Sequence, residues 1–70
     1  MEVLDNRGLQ PPQPMMRTLK KLESLEKGAK LAIINDRRPM FLYEELEELG
    51  FEHVTTANED GSYQIIITKR

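Results

Sequence analysis

The chain contains no cysteine. That absence removes disulfides, thiolate nucleophiles and cysteine-ligated metals together. A secreted domain of 70 residues usually depends on such staples, so this chain is expected to work in the cytoplasm. Histidine is nearly as scarce. His53 is the only one, it lies in a strand-like segment without a second ligand type beside it, and it reads as an ordinary strand residue, not a metal ligand. Excess charge is missing too: 10 basic and 12 acidic side chains leave −2, which argues against nucleic acid as a partner. No run approaches the ~20 apolar residues of a membrane span, so no membrane role is expected. Met1–Asp5 has neither the basic nor the apolar part of a signal peptide. No cofactor motif is present and no cofactor is expected.

Seventy residues make one domain, spanning 1–70. A domain of this size buries only about 60% of the surface its unfolded chain exposes, so its core is thin. A ligand is therefore expected in a surface groove or a loop cradle, not in a deep cavity. Charge is unevenly spread. Arg7, Arg17, Lys20, Lys21, Lys27, Lys30, Arg37 and Arg38 fall between positions 7 and 38, whereas Glu44, Glu45, Glu47, Glu48 and Glu52 follow without a basic residue among them.

Hydrophobic periodicity gives the elements. Val3 and Leu4 begin a strand that ends by Asp5 or Asn6. Gly8 and Pro11-Pro12-Gln13-Pro14 break the chain, and a helix opens between Pro12 and Pro14, where the missing N–H of proline costs nothing. Its apolar stripe is Met15, Leu19, Leu22 and then Leu25 or Glu26, with Gly28 as the C′ stop. Lys30–Asn35 is a buried, β-branched strand. After the loop Asp36-Arg37-Arg38, Pro39 opens a second helix carrying Leu42, Leu46 and Leu49 inward and its glutamates outward. Gly50 closes that helix, followed by Phe51 where a Schellman stop wants an apolar contact. Phe51–Thr56 and Ser62–Lys69 are strands joined by the hairpin loop Asn58-Glu59-Asp60-Gly61. In the last strand Tyr63, Ile65 and Ile67 share one face.

The order β-α-β-α-β-β implies a parallel first strand pair with a right-handed crossover. The fold class is α/β of the α+β type: a two-layer sandwich, with a mixed four-stranded sheet and both helices on one face. Leu19, Leu22, Ile33, Leu46 and either Ile65 or Ile66 are expected to share the core.

The segment Leu4-Asp5-Asn6-Arg7-Gly8-Leu9-Gln10-Pro11-Pro12-Gln13-Pro14 resembles the TusA/SirA-like sulfur-carrier family, whose motif runs Leu-Asp, then Gly-Leu, then Cys-Pro-x-Pro. Pro11 stands at the cysteine position, and Pro12 and Pro14 match the two prolines. The chain is most similar to a cysteine-less branch known as a domain of unknown function, which also shows the pattern Asn35-Asp36-x-x-Pro39. That branch often carries His-Asp before the second helix, where this chain has Arg37-Arg38. The resemblance implies a bacterial domain with the β-α-β-α-β-β sandwich. It does not carry over persulfide transfer, which needs a thiolate.

Loops that follow parallel strands gather at one end of a sheet, beside the helix N-termini, where anions are favoured. Those loops hold Arg7, Arg37 and Arg38, a set suited to phosphate, sulfate or carboxylate. The competing reading pairs Arg7 and Arg38 with Asp5 and Asp36 to pin the loops. Pro11, Pro12, Pro14, Met16 and Phe41 complete the candidate anion- or partner-binding set, with Leu9, Met16 and Phe41 as an apolar patch. No catalytic or metal set emerges. The expected function is a non-catalytic binding or adaptor module, monomeric, with a protein partner or a small anionic ligand. The alternatives are a cysteine-less accessory to a sulfur-transfer or redox system, and a weak RNA-binding module. The latter is disfavoured by the net charge and the lack of stacked strand aromatics.

Overall fold

The aliphatic run Lys30–Asn35 forms β2, the strand on which the sheet is assembled. In the computed structural model, which describes all 70 residues, it is preceded by β1 (Glu2–Asp5) and α1 (Gln13–Ser24). It is followed by α2 (Met40–Leu49), β3 (Glu52–Ala57) and β4 (Tyr63–Thr68). The sheet order is β1-β2-β4-β3. β1 runs parallel to β2, as the α1 crossover requires, and the other pairs are antiparallel. This topology puts three turns at one end: the loops after β1 and β2, and the β3–β4 hairpin.

Register sorts the side chains between two faces. Leu4, Ile33, Ile65 and Thr55 lie in one cross-strand row, and Glu2, Leu31, Ile67 and His53 in another. The central members of both rows point at the helices, where Leu22, Leu31, Ile33, Leu42, Leu46, Ile65 and Ile67 form a single buried cluster. Both helices therefore cover the same face, giving the expected two-layer sandwich. Ile66 lies opposite, in a row with Val3, Ala32 and Val54, so Ile65 is the core member of that pair.

Three expectations need correction. α1 stops at Ser24, and Gly28 is not its C′ residue. The ammonium of Lys69 donates to the carbonyls of Leu22 and Leu25, both at 2.7 Å, and so does the work expected of glycine. Gly28, with φ +87°, instead turns the chain into β2 and donates its N–H to the Lys69 carbonyl at 2.7 Å. Leu49 is 51% exposed, because the second helix turns inward only at Leu42 and Leu46 and Phe51 fills the space after its stop. That stop is the expected Schellman pattern: Gly50 at φ +76° donates to Glu47 at 3.1 Å and Phe51 donates to Leu46 at 2.9 Å. Leu19 is only half-buried at the margin of the cluster.

Candidate functional site

At the three-turn end a cleft of about 700 Å³ opens between the starts of α1 and α2. That volume falls within the roughly 300–1,000 Å³ of small-molecule sites. One wall is Leu9, Pro11, Pro12, Pro14 and Met15; the other is Pro39, Met40, Phe41 and Leu42. Arg37, Arg38 and Asp36 stand at its rim, and the buried Asn6 and Asn35 form its floor. Met40 and Phe41 are largely in solvent, at 65% and 77% exposure.

The prolines shape both helix starts. Pro12 and Pro39 occupy the N-cap positions, neither helix has a side-chain cap, and neither has an acidic residue in its first turn. The Pro11–Pro12 peptide is cis. Met16 donates to the Pro12 carbonyl and Tyr43 to that of Pro39, both at 3.0 Å. The amides of Met15, Phe41 and Leu42 donate to no backbone carbonyl. Two helices thus present the positive ends of their dipoles to the cleft with no carboxylate neutralising them from within.

The floor is a polar network under an apolar wall. Asn6 is 1% exposed, and its Nδ2 donates to Thr18 Oγ1 at 3.2 Å and Asn35 Oδ1 at 3.0 Å. Its backbone N–H continues the ladder to the Ile34 carbonyl at 2.8 Å. Thr18 Oγ1 in turn donates to the Pro14 carbonyl at 2.8 Å. Asn6 Oδ1 is buried with no hydrogen-bond partner. Orphaned acceptors of this kind are rare in folded proteins.

Further polar contacts hold the turns in place. The guanidinium of Arg7 grips Asp5 with two bonds, at 2.9 and 2.7 Å, and reaches Asp60 of the hairpin at 3.4 Å. These bonds from Arg7 hold the Asp5 carboxyl at about 2, and Asp5 correspondingly raises the pKa of Arg7. Bonds from the Ser62 hydroxyl and amide lower the pKa of Asp60. Asp36 Oδ2 accepts the Gly8 N–H at 2.7 Å, tying the first loop to the second. The guanidinium carbon of Arg38 lies 5.0 Å from the centroid of the Tyr63 ring, a cation–π contact. Arg37 enters no ion pair.

The candidate residues therefore divide. Pro11, Pro12, Pro14, Arg37, Arg38 and Phe41 meet in the cleft. Arg7 does not line it and is committed to Asp5 and Asp60. Met16 sits 62% exposed in a separate shallow groove with Arg17 and Leu19. Of the two pinning pairs, Arg7–Asp5 forms. Arg38–Asp36 does not, because Asp36 takes the Gly8 amide and Arg38 lies over Tyr63. Asn6, Asn35 and Tyr63 were not read from the sequence as part of this site. The one signal for Asn6 and Asn35 is a polar Asn at the end of each of two parallel strands. His53 stacks on Tyr43, with ring centroids 4.7 Å apart and planes 12° from parallel.

The four-stranded mixed sheet with two helices on one face is the fold of a SirA-like protein of known structure. The crystal structure of a SirA-like protein from Desulfitobacterium hafniense matches with a TM-score of 0.86, at 24% identity, over 97% of this chain and 96% of that one. At that identity the likeness shows the fold. The family model of the uncharacterized conserved protein DUF2249 matches residues 3–69, and the chain belongs to that family. No curated protein matches the chain. No helix is long and apolar enough to cross a membrane.

Proposed function

We propose that this protein is a non-catalytic cytoplasmic binding domain that takes a small anionic ligand in the loop-end cleft. The observation that carries this reading is the convergence of two uncapped helix N-termini and two arginines, Arg37 and Arg38, on one concavity. Helix N-termini and guanidinium groups both favour anions, and here they act in the same direction. Asp36 opposes them at the rim, but its Oδ2 is engaged by the Gly8 amide. The cleft otherwise offers amides, prolines, methionine and phenylalanine, which suit binding and supply no nucleophile. Arg7 serves this site from outside by fixing the first loop against the hairpin.

The test is a phosphate and sulfate titration followed by ¹⁵N amide shifts. Selective shifts in residues 9–16 and 36–42, lost in the Arg37→Ala/Arg38→Ala double variant with the fold intact, support the reading. Small uniform shifts, or shifts unchanged in the double variant, refute it. A second reading is favoured by the exposed Met40 and Phe41 sharing the cleft with Pro11, which stands where the sulfur-carrier motif that this segment resembles has its cysteine. In it the cleft docks a protein of a sulfur-transfer system without accepting sulfur. Partner binding lost in Phe41→Ala but kept in the arginine double variant would select that reading.

A further inference from the structure

Away from the cleft, we infer a second interaction surface: the outer edge of β3 accepts an extended segment of another protein, basic and apolar in alternation, as an added antiparallel strand. β3 ends the sheet on one side and pairs with β4 through six residues without a bulge. The Asn58 amide donates to the Ser62 carbonyl, which sets the alternation of that ladder. Glu52, Val54 and Thr56 therefore bond to β4, and the amides and carbonyls of His53, Thr55 and Ala57 point outward. No other backbone group of the protein takes them. The opposite edge is better protected: β1 has only four residues, and Arg17 donates to its outward Asp5 carbonyl at 3.2 Å. β3 contains no proline, lysine or arginine, the residues that usually blunt an exposed edge. None of its residues lines the cleft.

The second helix sets the charge of the occupant. Tyr43 leans from α2 onto the edge strand, where its ring stacks on His53 and its hydroxyl bonds that of Thr55. Leu42 and Leu46 point at the core, so the helical rotation carries Glu47 and Glu44 past Tyr43, over the space beyond the edge. All four glutamates of α2 are exposed, and none has an ionic partner. A second copy paired across this edge would bring two such helices together, like charge against like, so the occupant is not this chain. On the other face the added strand would lie beside Val54, which is 65% exposed. Side chains of a strand alternate between faces, so every second residue meets glutamate and the residues between meet valine. Lysine or arginine alternating with valine or isoleucine fits both.

The probe is an end-blocked hexapeptide of alternating lysine and valine, equal in length to β3. Titrated into the intact chain at low salt, it is expected to move the amide resonances of His53, Thr55 and Ala57 and to slow their hydrogen exchange. The double variant Glu44→Gln/Glu47→Gln, at exposed positions, should weaken binding roughly three- to tenfold. N-methylation of the peptide's lysine amides, which face β3 in an antiparallel pairing, should abolish it. A hexapeptide of alternating glutamate and valine should not bind. Equal binding of the N-methylated peptide would mean attraction to α2 without strand pairing and overturns the inference. Equal binding of the acidic peptide, or no shift at the three edge amides, overturns it as well. So does a dimer of the free chain in sedimentation that the lysine–valine peptide dissociates, because it would place a second copy on the edge.

Discussion

Lys69 carries a test of how this thin domain holds its first helix. Its ammonium lies 2.7 Å from the Leu22 and Leu25 carbonyls and 3.4 Å from that of Glu23, at the end of α1 opposite the cleft. One side chain thus satisfies carbonyls that every helix C-terminus leaves open and places a positive charge at the negative end of the dipole. Hydrogen bonds to charged groups contribute about 1.5–3 kcal/mol each, but desolvating a partly buried ammonium opposes them. A C-terminal cation adds about 0.3–1 kcal/mol through the dipole. The net effect of Lys69→Met, which keeps the apolar stem, is expected to be a loss of about 1–2 kcal/mol. Domains of this size move roughly 4–8 °C per kcal/mol, so the melting temperature should fall by about 5–15 °C.

Urea unfolding followed by far-UV circular dichroism measures the loss, with an unchanged m value as the sign that only stability moved. Lys27→Met is the control: that lysine is exposed, forms no ion pair, and should cost less than about 0.5 kcal/mol. Equal effects from the two substitutions would refute the capping role. Because the contact lies at the far end of the helix, Lys69→Met should also leave anion titration at the cleft unchanged.

Two more expectations follow from the packing and the charges. Leu46, fully buried among Leu22, Leu42 and the sheet, should cost about 2–5 kcal/mol as Leu46→Ala, a large part of the roughly 4–10 kcal/mol total expected for 70 residues, and chemical denaturation measures it directly. Asp5 should titrate with a midpoint near 2 by ¹³C carboxyl shifts, against an ordinary 3.8, and Arg7→Met should return it toward that value. Since the folded pKa is the lower one, the stability contributed by the pair is present above 3.8 and is lost as pH falls through about 2.

The fold was legible because its signals were local. Proline opened each helix, Gly50 with Phe51 closed the second, and Lys30–Asn35 allowed no element but a strand, with observed bounds that match. The end of α1 was not legible, because its cap comes from Lys69, 44 residues beyond Leu25, and no window of sequence contains both. The candidate site was half legible. The loop end and six of its residues follow from the rule that parallel strands discharge their loops at one end. The Arg7–Asp5 pair was legible from two neighbouring residues, but the added reach of Arg7 to Asp60 and the placement of Arg38 over Tyr63 were not, because both partners come from the hairpin at the other side of the chain. Asn6 and Asn35 carry no sequence signal beyond that of polar residues at strand ends. Their burial depends on Thr18, which the helical stripe of methionine and leucines did not include.

Where this chain departs from ordinary packing logic, it does so at one end. The far end of α1 is satisfied by Lys69, the sheet centre is dry aliphatic, and every core side chain there is apolar. At the cleft end, three of the four buried polar residues, Asn6, Thr18 and Asn35, sit together, and one of their acceptors is unpaired. An unpaired buried acceptor costs about 1–3 kcal/mol, a serious fraction of what a domain this small has. Leucine or valine at position 6 would avoid that cost, and two capped helices would be steadier than two helices opened by prolines. Both departures surround the same concavity, beside the only cleft arginines. Local rules broken together in one place support the binding role proposed for the cleft.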